Sequence, residues 1–287
     1  MKKKLLLLVA ICSINAAFAQ FYVSASGGYS IGSAQMKLGD ITTAETTKNS
    51  YGSYGEGANF QLRGGYFFND TFGLEFGLGY LLGADQIVSE VKMPSVGVDV
   101  EAIARGRVFG FSPAVVYKFT DHFYGRFGAL LKLGGKTEAI VNSRIPIDPD
   151  NLGPLPLGSY TVVNYTEDYH GVLPLGFVGA FGYKHDFSDS FGLFVEAEYM
   201  GISIKRNDSE IVAMDGGVYL PDGTPVPGFD PFSLDNLPPG FSKTTDYVDE
   251  LPNNNTDPSK QLSQKVPYSS FGLNIGVTYT FSKKSAK

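Results

Sequence analysis

The sequence predicts an all-β protein, an eight-stranded antiparallel up-and-down transmembrane β-barrel with short periplasmic turns and long extracellular loops. Three observations predict this class. They are an export signal at the amino terminus, eight segments in which large apolar residues alternate with small or polar ones, and connections that alternate between short and long. Strands of an outer-membrane barrel alternate in this way because one face meets lipid and the other meets the lumen.

Residues 1–19 have the pattern of a secretory signal peptide. A basic start is followed by a short apolar run and by an Ala-Phe-Ala cleavage site that ends at Ala19. We therefore expect Sec-type export, cleavage near Ala19, and a single barrel domain over residues 20–287. A lipoprotein signal is the alternative, but a bulky residue precedes Cys12 and the Ala-Phe-Ala site would then have no role.

Composition narrows the compartment and the partners. The chain has 35 glycines, 22 phenylalanines and 17 tyrosines, and only 18% of its residues are charged, which suits strands that pass through hydrocarbon. Without the three signal lysines, 20 basic residues face 29 acidic ones, a formal charge of −9. A surface this acidic repels a phosphate backbone, so we expect no nucleic-acid partner. No segment has the roughly 18 consecutive apolar residues of a membrane helix. If the protein enters a membrane, it must therefore cross it with strands.

Eight segments have the two-residue period of a half-buried strand. Each is close to the ~9–11 residues that a tilted strand needs to cross hydrocarbon. We expect the last segment to pair with the first, because a closed sheet leaves no unpaired edge in lipid. The segments are residues 21–31, 57–67, 72–82, 107–119, 123–133, 171–184, 191–203 and 269–281.

The connections between these segments alternate in length. Short turns follow the second, fourth and sixth segments, and long loops follow the first, third, fifth and seventh. This alternation is typical of a barrel with hairpin turns in the periplasm and elaborated loops outside the cell. Aromatic residues flank the short turns and both chain ends, the pattern of a girdle at a membrane interface. The long loops are residues 32–56, 83–106, 134–170 and 204–268.

Three of the long loops carry hairpin signals of their own. Residues 86–93 and 98–106 flank a turn-like Pro-Ser-Val-Gly, which predicts one hairpin. Residues 138–145 are expected to pair with residues 159–165 around a proline-rich stretch, which predicts a second. Residues 211–220 place Asp-Gly-Gly between two short apolar runs, which predicts a third hairpin. We expect these hairpins to stand above the membrane. Alternatively, the third hairpin supplies two more membrane strands and the barrel has ten.

Except for one at a strand end, the charged residues within the strands fall on the face that points away from lipid. A charge on the lipid face near the midplane costs about 2–4 kcal/mol, so a bilayer would impose this segregation. The interior of an eight-stranded barrel is narrow enough for side chains to fill it. We therefore predict a lumenal salt-bridge network that plugs the barrel. Its predicted members are Arg63, Glu75, Arg126, Lys132, Glu196 and Glu198.

Other roles remain open for these and neighbouring residues. Glu196 and Glu198 share a face and could act as a general acid/base pair, although basic partners are available to both. A gated proton or ion path through the interior is a further alternative. Among the histidines, only His170 lies near the predicted outer rim, and no nucleophile follows it. The acidic stretch 148–151 lacks the later ligands of an EF-hand, although calcium binding by the acidic loops is left open. We expect a non-enzymatic protein without cofactor or metal.

These features together resemble the small outer-membrane β-barrel domain families of Gram-negative bacteria, the OmpA-like, OmpX-like and OmpW-like barrels. The resemblance rests on the Ala-Phe-Ala site, the Gly/aromatic strands, the Phe-Asn-Asp turn and the closing Gly-Val-Thr-Tyr-Thr-Phe. It implies a location in the cell outer membrane, among outer-membrane lipids and lipopolysaccharide. It also implies that the barrel-assembly machinery recognises the last strand through Tyr279 and Phe281, although the extension SKKSAK departs from the strict terminal form.

A barrel fold does not fix a function, so two classes remain. The first is a structural or surface-interaction role, in which the lumen is plugged and the extracellular loops meet a partner. The alternative is a narrow channel or transporter for small hydrophobic molecules, which the OmpW-like resemblance allows. Charges that bridge the lumen favour the first class, whereas a continuous passage would favour the second.

Overall fold

The computed structural model describes residues 20–33 and 36–281. The predicted signal peptide and the SKKSAK tail lie outside this part of the chain. The described residues form sixteen strands and a short 3-10 helix, Pro149–Asn151. None of their helices is long and apolar enough to cross a membrane. The strands are β1 (Gln20–Gly32), β2 (Met36–Thr43), β3 (Thr47–Gly52), β4 (Gly57–Phe67), β5 (Phe72–Gly83), β6 (Gln86–Met93), β7 (Val98–Lys118), β8 (Phe123–Pro146), β9 (Tyr160–Gly171), β10 (Leu175–Asp186), β11 (Phe191–Gly201), β12 (Ser203–Tyr219), β13 (Thr244–Val248), β14 (Lys260–Leu262), β15 (Lys265–Pro267) and β16 (Ser270–Thr280).

Eight of these strands pair edge to edge in a closed ring. The order is β1, β4, β5, β7, β8, β10, β11 and β16, and every neighbouring pair is antiparallel. β16 then returns to β1, in a register that runs from Tyr22 opposite Thr280 to Gly32 opposite Ser270. The ring strands coincide with the eight segments of two-residue period. The described residues form more than eight strands in all, because the long loops contain strands as well.

The additional strands extend the sheet at one end of the ring. β7 and β8 run to 21 and 24 residues, far beyond their predicted segments, and their outer halves pair with β6 and β9. The first two predicted loop hairpins are therefore confirmed. Two pairings, β2 with β6 and β13 with β14, are parallel, which the sequence analysis did not predict.

The predicted hairpin at residues 211–220 is wrong. These residues belong almost entirely to β12, a single strand that pairs with β9 from Arg206 to Tyr219 and takes no place in the ring. Gly216 has a φ of 140°, and a Cβ there would lie 2.1 Å from the carbonyl oxygen of Val162. The Asp-Gly-Gly sequence therefore marks a close approach between two strands and not a turn.

Side chains that point away from the ring are large, apolar and exposed. Along β16, exposed and buried residues alternate without interruption. The exposed fractions reach 61% for Leu273, 63% for Ile275, and 65% for both Leu62 and Phe127. Contiguous apolar surface of this extent is rare on soluble monomers and typical of a surface that meets lipid or another protein.

The two ends of the ring differ. The turn end carries the three short connections, residues 68–71, 119–122 and 187–190, and the loop end carries the extended sheet. Aromatic rings contact one another around the turn end, as the sequence predicts. Phe72 packs on Tyr117, Phe123 on Tyr183, and Tyr279 on Phe281, with ring centroids 4.9, 5.2 and 4.9 Å apart.

Candidate functional site

Five charged side chains meet inside the ring. They come from four strands, and each occupies a position between two outward-facing residues, so the alternation of the strands directs all five inward. Every one of them is 5% exposed or less. We call this group the central network. Its members are Arg63 of β4, Glu75 of β5, Arg126 of β8, and Glu196 and Glu198 of β11.

Glu196 lies at the centre of the network. Its carboxylate accepts hydrogen bonds from Arg63 Nη1 at 3.0 and 3.1 Å, and from Arg126 Nε and Nη2 at 3.2 and 3.1 Å. The hydroxyl of Tyr124 donates a further bond of 2.9 Å. Two guanidinium groups thus share one fully buried carboxylate, and removing that carboxylate would leave both cations without the counter-charge that they share.

Glu75 completes the network toward the turn end. Its Oε1 lies 3.7 Å from Nη1 of Arg63 and 3.7 Å from Nη1 of Arg126. The hydroxyl of Tyr22 on β1 donates a hydrogen bond of 2.9 Å to its Oε2. Glu75 therefore connects the two guanidinium groups from the opposite wall of the ring.

Glu198 completes the network toward the loop end. It forms an ion pair with Arg126 and accepts hydrogen bonds from the amide of Gln61 at 2.8 Å and from that of Asn274 at 3.3 Å. These partners lie on β8, β4 and β16, so contacts of Glu198 cross the lumen. The two glutamates of β11 are held by guanidinium and amide donors, which favours a structural role over general acid/base chemistry.

Small cavities lie on either side of the central network. The turn-side cavity measures ≈70 Å³ and is lined by Tyr22, Lys118 and Tyr124 among others. The loop-side cavity measures ≈90 Å³ and has Gln61 and Glu198 in its wall. A buried water occupies ~10–15 Å³ on this measure, so each cavity holds only a handful of water-sized groups.

The loop end is closed by a second group, which we call the loop plug. It consists of five buried residues, Tyr54, Ala104, Ile204, Val266 and Tyr268. The hydroxyl groups of Tyr268 and Thr137 are 2.6 Å apart and hydrogen-bonded. Burial raises the pKa of both Tyr54 and Tyr268, so both phenols remain neutral at ordinary pH. No pattern in the sequence indicates this cluster, because its members come from separate loops and share no periodic spacing.

A closed ring with an apolar outside and paired charges inside is the architecture of an outer-membrane barrel. The family model named outer membrane protein beta-barrel domain matches residues 5–219 of the chain. The chain belongs to this family. No curated protein matches it.

Three solved structures are similar to this outer-membrane protein at low identity. A crystal structure of a Pseudomonas aeruginosa FadL homologue is 11% identical, with a TM-score of 0.24, and the match covers 92% of this chain and 89% of that one. A Salmonella typhi OmpF complex with daunomycin and OmpT of Vibrio cholerae are each 10% identical, with TM-scores of 0.11 and 0.09. Both matches cover 92% of this chain and 97% of the other. At these TM-scores the likeness carries no argument about function.

Lys132 is the one predicted network residue that the structure places elsewhere in the outer-membrane protein. Its exposed fraction is 7%, and it lines the loop-side cavity. In the register of β7 and β8, Lys132 lies opposite Gly110, whereas Arg126 lies opposite Val116. The six-residue separation along β8 corresponds to roughly 20 Å at ~3.3 Å per residue. Alternation along a strand gives the side that a residue faces but not its depth.

The predicted assembly residues lie at the turn end of the outer-membrane protein. Tyr279 and Phe281 are 36% and 51% exposed on the outside of the ring. The backbone N–H of Phe281 donates a 2.9 Å hydrogen bond to the carbonyl oxygen of Phe21, so the last strand is paired up to that residue. Recognition of these two rings by the assembly machinery stays a prediction.

In the described residues, the hydrogen bonds of His122, His170 and Asp148 lie outside the central network. His122 and His185 lie at the turn end, and His170, which is half exposed, has its Nδ1 2.8 Å from Oδ1 of Asp208. Asp148 caps the short 3-10 helix by accepting a 2.8 Å bond from the N–H of Asp150. Within residues 20–33 and 36–281, no group of three or more His, Cys, Asp or Glu side chains is placed to hold a metal ion.

Replacing Glu196 with Gln should destabilise the folded outer-membrane protein by about 3–5 kcal/mol, because two buried guanidinium groups lose their shared counter-charge. The refolded protein in detergent micelles can be unfolded in urea. Far-ultraviolet circular dichroism is a suitable signal because the sequence contains no tryptophan.

The matched control for this experiment is Asp40→Asn. It breaks an ion pair between Lys37 and Asp40, whose side chains are 49% and 45% exposed. Exposed pairs contribute about 0–1 kcal/mol, so this variant should unfold almost as the parent does. Equal, small losses in the two variants would contradict a stabilising role for the central network.

Proposed function

We propose that the ring of eight strands is a transmembrane β-barrel in the cell outer membrane, with the turn end in the periplasm and the loop end outside. Three observations support this topology: the exposed apolar outer face, the aromatic belt at the turn end, and the inward position of the network charges. β4 and β16 have 11 residues each, which agrees with the ~9–11 residues of a tilted strand that crosses hydrocarbon.

We infer that the protein is non-enzymatic and acts as a structural or surface-interaction barrel through its extracellular loops. The observation that carries this proposal is the presence of two closures in series, the central network and the loop plug. A solute would have to break ion pairs among side chains that are 5% exposed or less, and then displace a buried apolar cluster. Removing one partner of a buried ion pair costs about 3–5 kcal/mol, so such a passage is unfavourable.

The extended sheet offers the surface that this role requires. β8 continues for fourteen residues beyond Lys132 to Pro146, which amounts to roughly 45 Å of strand at ~3.3 Å per residue. Its outer half pairs with β7 on one side and β9 on the other, so the projection is hydrogen-bonded along its length. An extracellular partner would meet a preformed sheet, with lipopolysaccharide and lipids around its base.

A passage for small hydrophobic molecules is the second candidate, and one observation favours it. The ladder between β7 and β8 runs to Phe111 opposite Leu131 and resumes at Ala114 opposite Gly128. Ser112 and Pro113 have no partner on β8 in between, and proline has no N–H to donate. Ser112 also lines the loop-side cavity. The two backbones approach closely beside this gap, since a Cβ at Gly128 would lie 2.1 Å from the carbonyl oxygen of Pro113, so β7 and β8 would have to part for an apolar molecule to leave the cavity sideways.

The topology predicts opposite labelling at two exposed aspartates. Asp230→Cys should react on intact cells with a maleimide attached to a polyethylene glycol too large for porins. Asp121→Cys should react only after the outer membrane is permeabilised. The single native cysteine, Cys12, lies in the predicted signal peptide, so the parent chain is the unreactive control. Labelling of Asp121→Cys alone on intact cells would invert the topology.

The plugged lumen predicts that the purified protein gives no stable single-channel steps in planar bilayers, because both closures block ion flow. The double variant Lys37→Ala/Asp40→Ala removes one charge of each sign from an exposed loop strand, and its recordings should match those of the parent. Stable, reproducible steps from the parent protein would overturn the plugged barrel and favour a channel.

A reversible crosslink tests the second candidate. In Phe111→Cys/Leu131→Cys, whose Cα atoms are partners in the ladder, a disulfide would tie β7 to β8 beside the gap. The surface-interaction role predicts that cells take up the apolar dye N-phenylnaphthylamine equally with the disulfide formed or reduced. The matched control, Tyr199→Cys/Phe271→Cys, ties β11 to β16 away from the gap. A fall in uptake that is specific to the first pair and reversed by reductant would favour the lateral passage.

A further inference from the structure

The loop-side cavity contains a buried ammonium group without a counter-ion. Lys132 is 7% exposed, and no carboxylate oxygen of the described residues lies within 4.0 Å of its Nζ. The carboxylate of Asp208 interacts with the charge of Lys132 from beyond this distance. Asp208 is already hydrogen-bonded to His170 at 2.8 Å and to Asn207 at 2.7 Å. Burying an unpaired ammonium group is unfavourable, so an anion bound beside Lys132 would be stabilised.

The rest of the cavity wall is mostly apolar. Leu81, Val108, Leu130 and Val178 line its sides, and Ile202, Ile204 and Tyr268 form its roof beneath the loop end. Ile204 and Tyr268 also belong to the loop plug, so the roof of the cavity and the closure of the loop end share these two residues. A small inorganic anion would lose its hydration here and gain little beyond the one ammonium group. An organic anion would in addition bury apolar surface.

The volume limits the size of the occupant. The cavity measures ≈90 Å³, and at ~10–15 Å³ for each water-sized group it admits roughly six to nine such groups. This is the size of benzoate or hexanoate, whereas a long-chain fatty acid would not fit.

We propose that the loop-side cavity binds a small organic monocarboxylate, with the Lys132 ammonium group donating hydrogen bonds to the carboxylate and the apolar walls enclosing the body of the molecule. The central network forms the floor of this site, so binding does not require passage through the barrel. The proposal therefore goes beyond the surface-interaction role and is independent of conductance.

Calorimetric titration of the refolded mature protein in non-ionic detergent tests the site, with sodium benzoate as the probe at constant ionic strength. Binding should be saturable in the parent and about ten-fold or more weaker in Lys132→Met, which keeps the length of the side chain and removes the charge. Lys118→Met is the matched control, because Lys118 lines the turn-side cavity, with its Nζ 4.0 Å from the ring centroid of Phe67. This control should bind benzoate as the parent does.

A second variant keeps the test decisive if Lys132→Met does not fold, which the heat-modifiable mobility of a barrel in gel electrophoresis will show. Gly110→Leu fills the cavity without backbone clash, since a Cβ at this position would lie 3.5 Å from Leu130 Cδ1 and 3.7 Å from the carbonyl oxygen of Leu131. Binding of benzoate should be lost in this variant although Lys132 is retained. The proposal is overturned if the parent shows no saturable binding, if either cavity variant binds like the parent, or if neutral benzyl alcohol binds as tightly as benzoate.

Discussion

The pairing of backbone groups is the constraint on which the rest of this structure depends. Hydrocarbon offers no water to an unpaired N–H or carbonyl group, so a sheet that enters it must close on itself. The pairing of β16 with β1 meets this requirement, and it brings together the first and last described strands of the chain. The strands with a single partner among the described residues are β3, β14 and β15, all in long loops at the end where water is available. The chain thus confines its unpaired edges to the part of the fold that can tolerate them.

Closure with only eight strands has a second consequence, because the interior is then too narrow to hold much besides side chains. Long charged residues from several strands must share one space, and glycines on the neighbouring strands provide it. A Cβ at Gly182 would lie 2.3 Å from Cζ of Tyr124, and one at Gly65 would lie 2.2 Å from Cζ of Tyr22. These two tyrosines are the ones that donate hydrogen bonds to Glu196 and Glu75. Part of the high glycine content therefore reflects the packing of the central network as well as the needs of the strands.

Sequence reasoning succeeded where lipid imposes a simple rule. The two-residue period located all eight ring strands, and the same alternation placed Arg63, Glu75 and Arg126 on the inner face. It could not give depth, which depends on the register between strands, and so it grouped Lys132 with Arg126, which lies about 20 Å away along β8 at ~3.3 Å per residue. It also failed in the loops, where no lipid enforces alternation. Asp-Gly-Gly was interpreted there as a turn, although Gly216 marks a close strand approach, and the parallel pairings and the loop plug join segments distant in sequence.

The two halves of the lumen differ in how their charges are balanced. The central network closes the barrel, whereas the loop side could bind a molecule. In the central network, three carboxylates and two guanidinium groups contact one another directly, and tyrosine and amide donors supply further bonds. Such an arrangement resists any solute, because insertion would separate charges that already have partners. On the loop side, the Lys132 ammonium group lies in a mostly apolar wall and has no carboxylate oxygen of the described residues within 4.0 Å, although Glu198 lines the same cavity. An added anion would therefore supply a contact that Lys132 lacks. A barrel with a closed lumen can therefore still bind a small molecule. Because Ile204 and Tyr268 line the cavity and also belong to the loop plug, an occupant would contact residues that close the loop end.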